Sequence, residues 1–311
     1  MTIQEIVARQ REQFADDEFK SFFKRPGGGE GERCHYPVRL DLYGKGRQND
    51  CSYCYAKSLL NFRKLWNPAH PAVANVAKVE RVIRTKLHAG DTVRLGGMTD
   101  CFQGLEATRR ATYETIKMLN AARVHYLIVT KCPLVARDDY LAIYDRDLCH
   151  VQVSITSTDD AVAATYEHAP KPSERIAAIE KLQAAGVDVA LRLSPLIPPY
   201  VDFDIINAVR CDKIQVEFLR VNGWIEKWFP IDYREYTLHE GGYRHLPLFR
   251  KLDYLRKITG FPQVSVCEDV TAHYWYFQEH TNYNPDDCCN LRGSTARAFP
   301  RPQEDGPTIF P

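Results

Sequence analysis

The sequence has almost no excess charge: 41 Lys and Arg stand against 40 Asp and Glu in 311 residues, a formal net charge of +1. This excludes a strong basic field drawing the whole chain to nucleic acid or an anionic membrane, and leaves room only for a local basic groove. No uninterrupted apolar run approaches a membrane span, so no membrane partner is expected. The first turns hold Gln4, Glu5, Arg9, Arg11 and Glu12. That is not the pattern of a secretory signal, and the expected location is the cytoplasm. What remains, 44% hydrophobic residues over this length, suits one large domain with extensions or two small ones.

Cysteine, by contrast, is plentiful. There are ten: residues 34, 51, 54, 101, 132, 149, 211, 267, 288 and 289. Without a secretion signal they read as thiols rather than a disulfide framework. Cys132, Cys149 and Cys211 sit at the ends of predicted strands and read as small buried side chains. Cys51-Ser52-Tyr53-Cys54 differs, because two cysteines two residues apart can turn both sulfurs toward one point. The pair suits a zinc clip, a redox pair, or two of the three ligands of a cluster.

From residue 38 onward the hydrophobic period switches repeatedly between strand and helix. Strands are predicted at 38–43, 93–95, 124–130, 151–155, 187–193 and 214–218, and helices at 73–87, 105–120, 133–144 and 172–185. The last helix has Pro172 at its start and Gly186 just past its end. Six strands alternating with helices predict a parallel α/β architecture, a partial (β/α)6 TIM-like barrel. On the fourth to sixth strands the alternate residues are polar: Gln152, Ser154 and Thr156, then Arg192 and Ser194, then Gln215 and Glu217. Each set shares one face, so a polar interior is expected, with the chemistry at the strands' C-terminal ends.

Residues 1–33 read as an N-terminal helical segment, with apolar Ile3, Ile6, Val7, Phe14, Phe19, Phe22 and Phe23, followed by a Gly-rich linker. Residues 34–221 form the barrel core. Residues 222–311 break the alternation and are rich in Trp and Tyr, with a helix predicted at 248–258, a strand at 263–267 and a Pro-rich arm after Arg292. This extension reads as a cover for the barrel, its aromatics packed in the core or stacked on bases. Cys267, Cys288 and Cys289 lie within it. They are either buried thiols or an auxiliary iron–sulfur or zinc site with His273 or His280.

The motifs taken together resemble radical S-adenosylmethionine (SAM) enzymes, in particular the branch around spore photoproduct lyase. They run from Tyr43-Gly44-Lys45-Gly46-Arg47 through Cys51-Ser52-Tyr53-Cys54-Tyr55-Ala56. Next come Gly96-Gly97-Met98-Thr99-Asp100-Cys101, Val129-Thr130-Lys131, Val153-Ser154-Ile155-Thr156 and Arg192-Leu193-Ser194-Pro195. The resemblance implies a [4Fe–4S] cluster on three cysteines and SAM chelated to it, cleaved to a 5′-deoxyadenosyl radical, with an electron donor such as a flavodoxin or ferredoxin. By position it places Cys51 and Cys54 on iron, Tyr53 near adenine, and the segment Gly96, Gly97, Thr99 and Asp100 by the SAM amino group. Lys131, Ser154, Arg192 and Ser194 become candidates for the SAM carboxylate and ribose.

Two departures stand out. The family pattern is CxxxCxxC, and the first cysteine's position is taken by Arg47, which cannot replace a thiolate. Cys34 is the expected third ligand, giving Cx16CxxC, with Cys101, Cys288 or Cys289 as alternatives. The lyase also carries a hydrogen-donating cysteine just before the Asp of its Gly-rich motif. Here Gly97-Met98-Thr99 precede Asp100, and Cys101, which follows it, is only a weak catalytic candidate. The resemblance therefore implies radical chemistry other than lesion repair. A modified thymine in DNA, as in phages that hypermodify thymine, is the favoured substrate, in the host cytoplasm if the chain is phage-encoded. A free small molecule is the alternative, and a zinc- or nucleic-acid-binding module without catalysis is the competing class. The sequence assigns no oligomeric state.

Overall fold

The computed structural model describes residues 20–25, 33–45, 49–67 and 72–299. The expected N-terminal helix, apart from its last residues, the Gly-rich linker, Arg47 and the end of the Pro-rich arm lie outside these residues.

In chain order the elements begin with β1 (Phe23–Lys24), β2 (Arg39–Leu40), β3 (Tyr43–Gly44), α1 (Tyr55–Phe62), β4 (Ala72–Val73) and α2 (Val76–Lys86). Next are β5 (Thr92–Leu95), α3 (Glu106–Arg109), α4 (Ala111–Ala121), β6 (His125–Thr130), α5 (Asp138–Leu141) and β7 (Cys149–Ile155). They continue with α6 (Asp160–Ala164), α7 (Pro172–Ala184), β8 (Asp188–Leu196), α8 (Phe203–Asn207) and β9 (Lys213–Phe218). The chain closes with α9 (Gly223–Trp228), β10 (Leu238–Glu240), β11 (Tyr243–His245), α10 (Leu248–Leu255), β12 (Gln263–Val266) and α11 (Thr271–His280).

The main sheet has eight strands in the order β1-β2-β5-β6-β7-β8-β9-β12 and does not close. All its pairings are parallel except β1–β2. The six predicted strands are present, and two more flank them. Phe22 and Phe23, expected in a helix, run into β1, where Phe23 pairs with Leu40. The strand predicted in the extension adds to the barrel sheet, Val264 beside Ile214 and Val266 beside Val216, so the extension is structurally continuous with the core.

Three predicted elements are divided, one of them the helix expected at 133–144, which becomes a 3-10 turn at Pro133–Ala136 and, beyond an extended Arg137, the short helix α5. Residues 38–43 give β2 in the main sheet and β3, which pairs with β4 in a separate ribbon. Leu42 accepts the N–H of Ala74 there. The helix predicted at 105–120 breaks at Arg110, whose φ of 52° is left-handed, and restarts as α4.

Alternation along the strands sorts the side chains as expected. Val151, Val153, Ile155, Leu191, Leu193, Ile214 and Val216 are almost fully buried in the main core. Ser154, Arg192 and Gln215 stand side by side in register on the other face, and form the polar interior. Part of the extension fills that interior. Asp287 accepts the Tyr36 hydroxyl (2.7 Å) and the N–H groups of Cys289 (2.8 Å) and Leu291 (2.9 Å). Leu291 then packs with Tyr36 and Leu127 in a small second core.

Candidate functional site

The cysteine loop is pinned from below. Ser52 N–H donates to Tyr166 O (3.0 Å) and His168 N–H to Asn49 O (2.9 Å). Cys54 N–H closes a turn on Cys51 O (3.2 Å) immediately before α1 begins. Both thiols are buried. Burial first, and then the nearby Glu167 carboxylate, push the Cys51 thiol up to about 12 against the opposing charge of Lys131. A bound cation is what would reverse that shift, since a coordinating thiol is deprotonated outright.

Glu167 is the hub under this loop. It accepts the Tyr53 and Thr156 hydroxyls and pairs with Lys131 at 3.0 Å and Arg175 at 2.5 Å. Burial opposes its charge, yet Lys131 and Arg175 overcome this and hold the carboxyl down at about 2. One buried anion thus fixes the ring between the two cysteines, a strand-end lysine and the helix α7 together.

The Gly-rich segment is built by two aspartates. Asp41 Oδ1 accepts the N–H groups of Gly97 (2.8 Å) and Met98 (3.0 Å). Asp100 accepts the Thr130 hydroxyl (2.7 Å), Lys131 N–H (2.8 Å) and Phe102 N–H (2.9 Å). Thr99 donates to Tyr43 O. Gly96 has φ +84°, and a Cβ there would meet Val129 O at 2.8 Å, so only glycine permits this close passage.

Across the sheet, Arg192 donates to Gln152 (2.6 Å), Gln215 and Glu217 (2.5 Å). Ser194 also donates to Glu217 (2.7 Å). Burial opposes the Glu217 charge, and Arg192 and then Arg220 bring its carboxyl down to about 2. The two cations expected to meet a carboxylate, Lys131 and Arg192, are therefore each neutralised by a glutamate of this chain.

Many of these residues line one cavity of 440 Å³ at the C-terminal ends of the strands, whereas Cys51, Asp41 and Glu167 are not on its wall. Its walls include Tyr53, Cys54, Gly96, Asp100, Lys131, Ser154, Arg192 and Ser194. Cys34 and Cys267 line it as well. Thr99 and Gly97 lie behind it as supports of the Gly-rich segment. Cys101 has no solvent exposure, and burial raises its thiol far above the ordinary value. Of the cysteines assigned to the core, Cys149 and Cys211 are buried and Cys132 is half-buried.

Four thiols from three segments converge on the inner face. The Cys288 thiol is pushed far above its ordinary value chiefly by the neighbouring Cys267 and Cys289 thiols, Gln215 Nε2 lies 3.4 Å from Cys289 Sγ, and Cys34 is within electrostatic reach of Cys267 and Cys289. Among the described residues no three Cys, His, Asp or Glu side chains are grouped so as to hold a metal ion. His273 instead accepts from Lys251 Nζ (3.0 Å), and His280 is half exposed. Sequence reasoning missed Asp41, Glu167 and Glu217 as site builders. Glu217 was visible as part of a polar strand face, whereas Glu167 carries no local pattern.

Comparison with known proteins agrees with this geometry. Curated relatives include uncharacterized proteins of Mycobacterium tuberculosis and Mycobacterium bovis, 28% identical over 212 residues, 62% of this chain and 62% of theirs. The chain thus spans less than two thirds of those relatives. An uncharacterized protein of Acidianus two-tailed virus is 35% identical over 80 residues, 25% of this chain and 26% of its own. Among solved structures, spore photoproduct lyase complexed with dinucleoside spore photoproduct has a TM-score of 0.59 at 16% identity over 80% of each chain. Streptococcus suis SuiB bound to precursor peptide SuiA has a TM-score of 0.53 at 13% identity, covering 78% of this chain and 51% of that one. These two likenesses are of fold. Residues 46–211 match the model of the Radical SAM superfamily, and the chain belongs to that superfamily.

Proposed function

We propose that this protein is a radical SAM enzyme that modifies or isomerises a thymine, or an already modified thymine, in DNA. The observation that carries the reading is the common cavity: Cys54 and Tyr53, Gly96 and Asp100, Ser154, and Arg192 and Ser194 come from four separate parts of the chain and line one space. Cys51 and Cys54 would supply two thiols for a [4Fe–4S] cluster, and Cys34, which lines the same cavity as Cys54 on the side of Cys267 and Cys289, is the third ligand this reading assigns. A cluster held there would supply the electron for reductive cleavage of bound SAM.

The chain's own residues do the placing. Gly96 lets a ligand approach the main chain without a side chain between. The Tyr53 ring, locked through its hydroxyl to Glu167, offers a face for adenine. The Ser154 and Ser194 hydroxyls suit the ribose. Lys131 and Arg192, both tied to glutamates, set the polarity of the wall and hold the loops that carry the ligands. The small, half-enclosed cavity limits water around a reactive intermediate.

For the substrate, the support is indirect. A spore photoproduct lyase structure of this fold holds a dinucleoside photoproduct, and a viral protein is among the relatives. Cys101, sealed in the core, offers no hydrogen to a substrate in the cavity, so the proposed chemistry is not repair by that residue. A flavodoxin or ferredoxin is the proposed electron donor.

The test is anaerobic incubation of the iron-loaded protein with SAM and dithionite, following 5′-deoxyadenosine by mass spectrometry. Formation of 5′-deoxyadenosine, stimulated by a thymine-containing oligonucleotide, is expected. Stimulation by free thymine nucleosides alone would move the substrate to a small molecule. Bound zinc with no 5′-deoxyadenosine would overturn the reading in favour of a non-catalytic module.

A further inference from the structure

Beside the cavity mouth, α1 and α9 lie together. Asn222 Nδ2 donates to Ser58 Oγ (3.2 Å). Lys57 Nζ sits 5.1 Å from the centre of the Trp228 ring and 5.9 Å from that of Trp66, and the Trp224 and Trp228 rings are 5.4 Å apart. Large apolar side chains remain in solvent on α1, the turn that follows it, and α9: Phe62 is 78% exposed, Leu65 54% and Trp224 45%. Folding gives no reason to leave these rings bare, and clustered exposed apolar groups mark interaction sites.

The acidic groups Asp50 and Glu226 are paired, with Lys57 (2.7 Å) and Arg244 (2.7 Å), and the unpaired charge is basic. Arg63, Lys64 and Lys227 are exposed and have no ion pair among the described residues. Rings alternating with unpaired cations match a strand of unpaired bases on a phosphate backbone better than they match an apolar protein face. The face also leads inward. Tyr55, the first residue of α1, stacks on Arg220 (4.1 Å), which covers Tyr243 (5.1 Å), and all three line the cavity. A 440 Å³ cavity is of small-ligand size, too small for a duplex, and an enzyme acting on a base removes it from the stack.

We infer that the α1–α9 face, with Phe62, Trp224, Arg63, Lys64 and Lys227, is the track for a single DNA strand whose target base enters the cavity past Tyr55. This rests on the proposed DNA substrate, and the experiment separates the two claims. Binding of a fluorescein-labelled thymidine 12-mer is measured by anisotropy at several salt concentrations, for the full chain and for Phe62→Ala, Trp224→Ala, Trp224→Tyr and the double Arg63→Ala/Lys64→Ala variant. Thermal unfolding checks each fold.

Loss of roughly tenfold in affinity for each alanine ring variant, with Trp224→Tyr near wild type, is expected. The double variant should show a flatter salt dependence. Wild-type binding that all variants retain would overturn the inference and leave the DNA reading standing. No strand binding by the wild type would overturn both. Unchanged strand binding with slower reduction by an acidic flavodoxin-type protein would overturn the inference and give this face to the electron donor.

Discussion

Lys131 Nζ lies 3.0 Å from Oε1 of Glu167, both side chains almost wholly buried beneath the cysteine loop. Neither ion could exist there alone, because removing one partner leaves the other charged and desolvated. Glu167→Gln should therefore destabilise the protein by about 3–5 kcal/mol, and weaken SAM binding through the freed Tyr53. Urea unfolding together with calorimetric SAM binding checks both effects. A stability loss below about 1 kcal/mol would be the value of an exposed pair, contrary to this account.

The same carboxylate sets a pH dependence. The Glu167 pKa falls from an ordinary value near 4.3 to about 2 in the folded chain. A depressed carboxylate contributes fully above its unfolded pKa, and the contribution fades as pH drops toward the folded value. Stability should fall between about pH 4 and pH 2, and the Glu167→Gln variant should be less steep there by up to about one proton. Denaturant midpoints measured across that window in both proteins supply the comparison. Parallel slopes would remove Glu167 from the list of acid-sensitive groups.

At Gly96 the demand is steric. Alanine would need φ near +84° and would place its Cβ 2.8 Å from Val129 O, so the segment must shift. Gly96→Ala should reduce SAM affinity at least tenfold, whereas Gly186→Ala, where a Cβ meets nothing within 4 Å, should leave it unchanged. Equal SAM affinity in the two variants would show that the Gly-rich segment does not contact the ligand.

Cys101 lies in the core beside Thr112, whose hydroxyl donates to its carbonyl. Cys101→Ala should cost about 1 kcal/mol of stability and leave 5′-deoxyadenosine formation within twofold of wild type. A turnover loss beyond tenfold in a folded variant would make this thiol part of the chemistry.

The strands from residue 124 to 218 were legible because their alternation is strict, and the polar set on their inner face announced where the site would lie. Phe22 and Phe23 were read with helical spacing, but a run so short also fits a strand, and pairing with β2 decided it. The strand at Gln263–Val266 was visible, yet its place at the edge of the main sheet is a matter of topology that no local period encodes. Gly96 and Asp100 could be picked out from their motif. Glu167 could not, since its importance comes from Tyr53, Lys131 and Arg175 arriving from elsewhere in the chain. For the same reason Lys131 and Arg192 were recognised as cations without the glutamates that neutralise them.

The most direct test of the central claim is the iron, sulfide and zinc content of protein reconstituted anaerobically, for wild type, Cys51→Ala and Cys34→Ala. About four irons with matching sulfide in the wild type, lost in both variants, is the result this account predicts. Iron retained in Cys34→Ala would move the third thiolate to another segment. Zinc without iron in the wild type would contradict the account at its root.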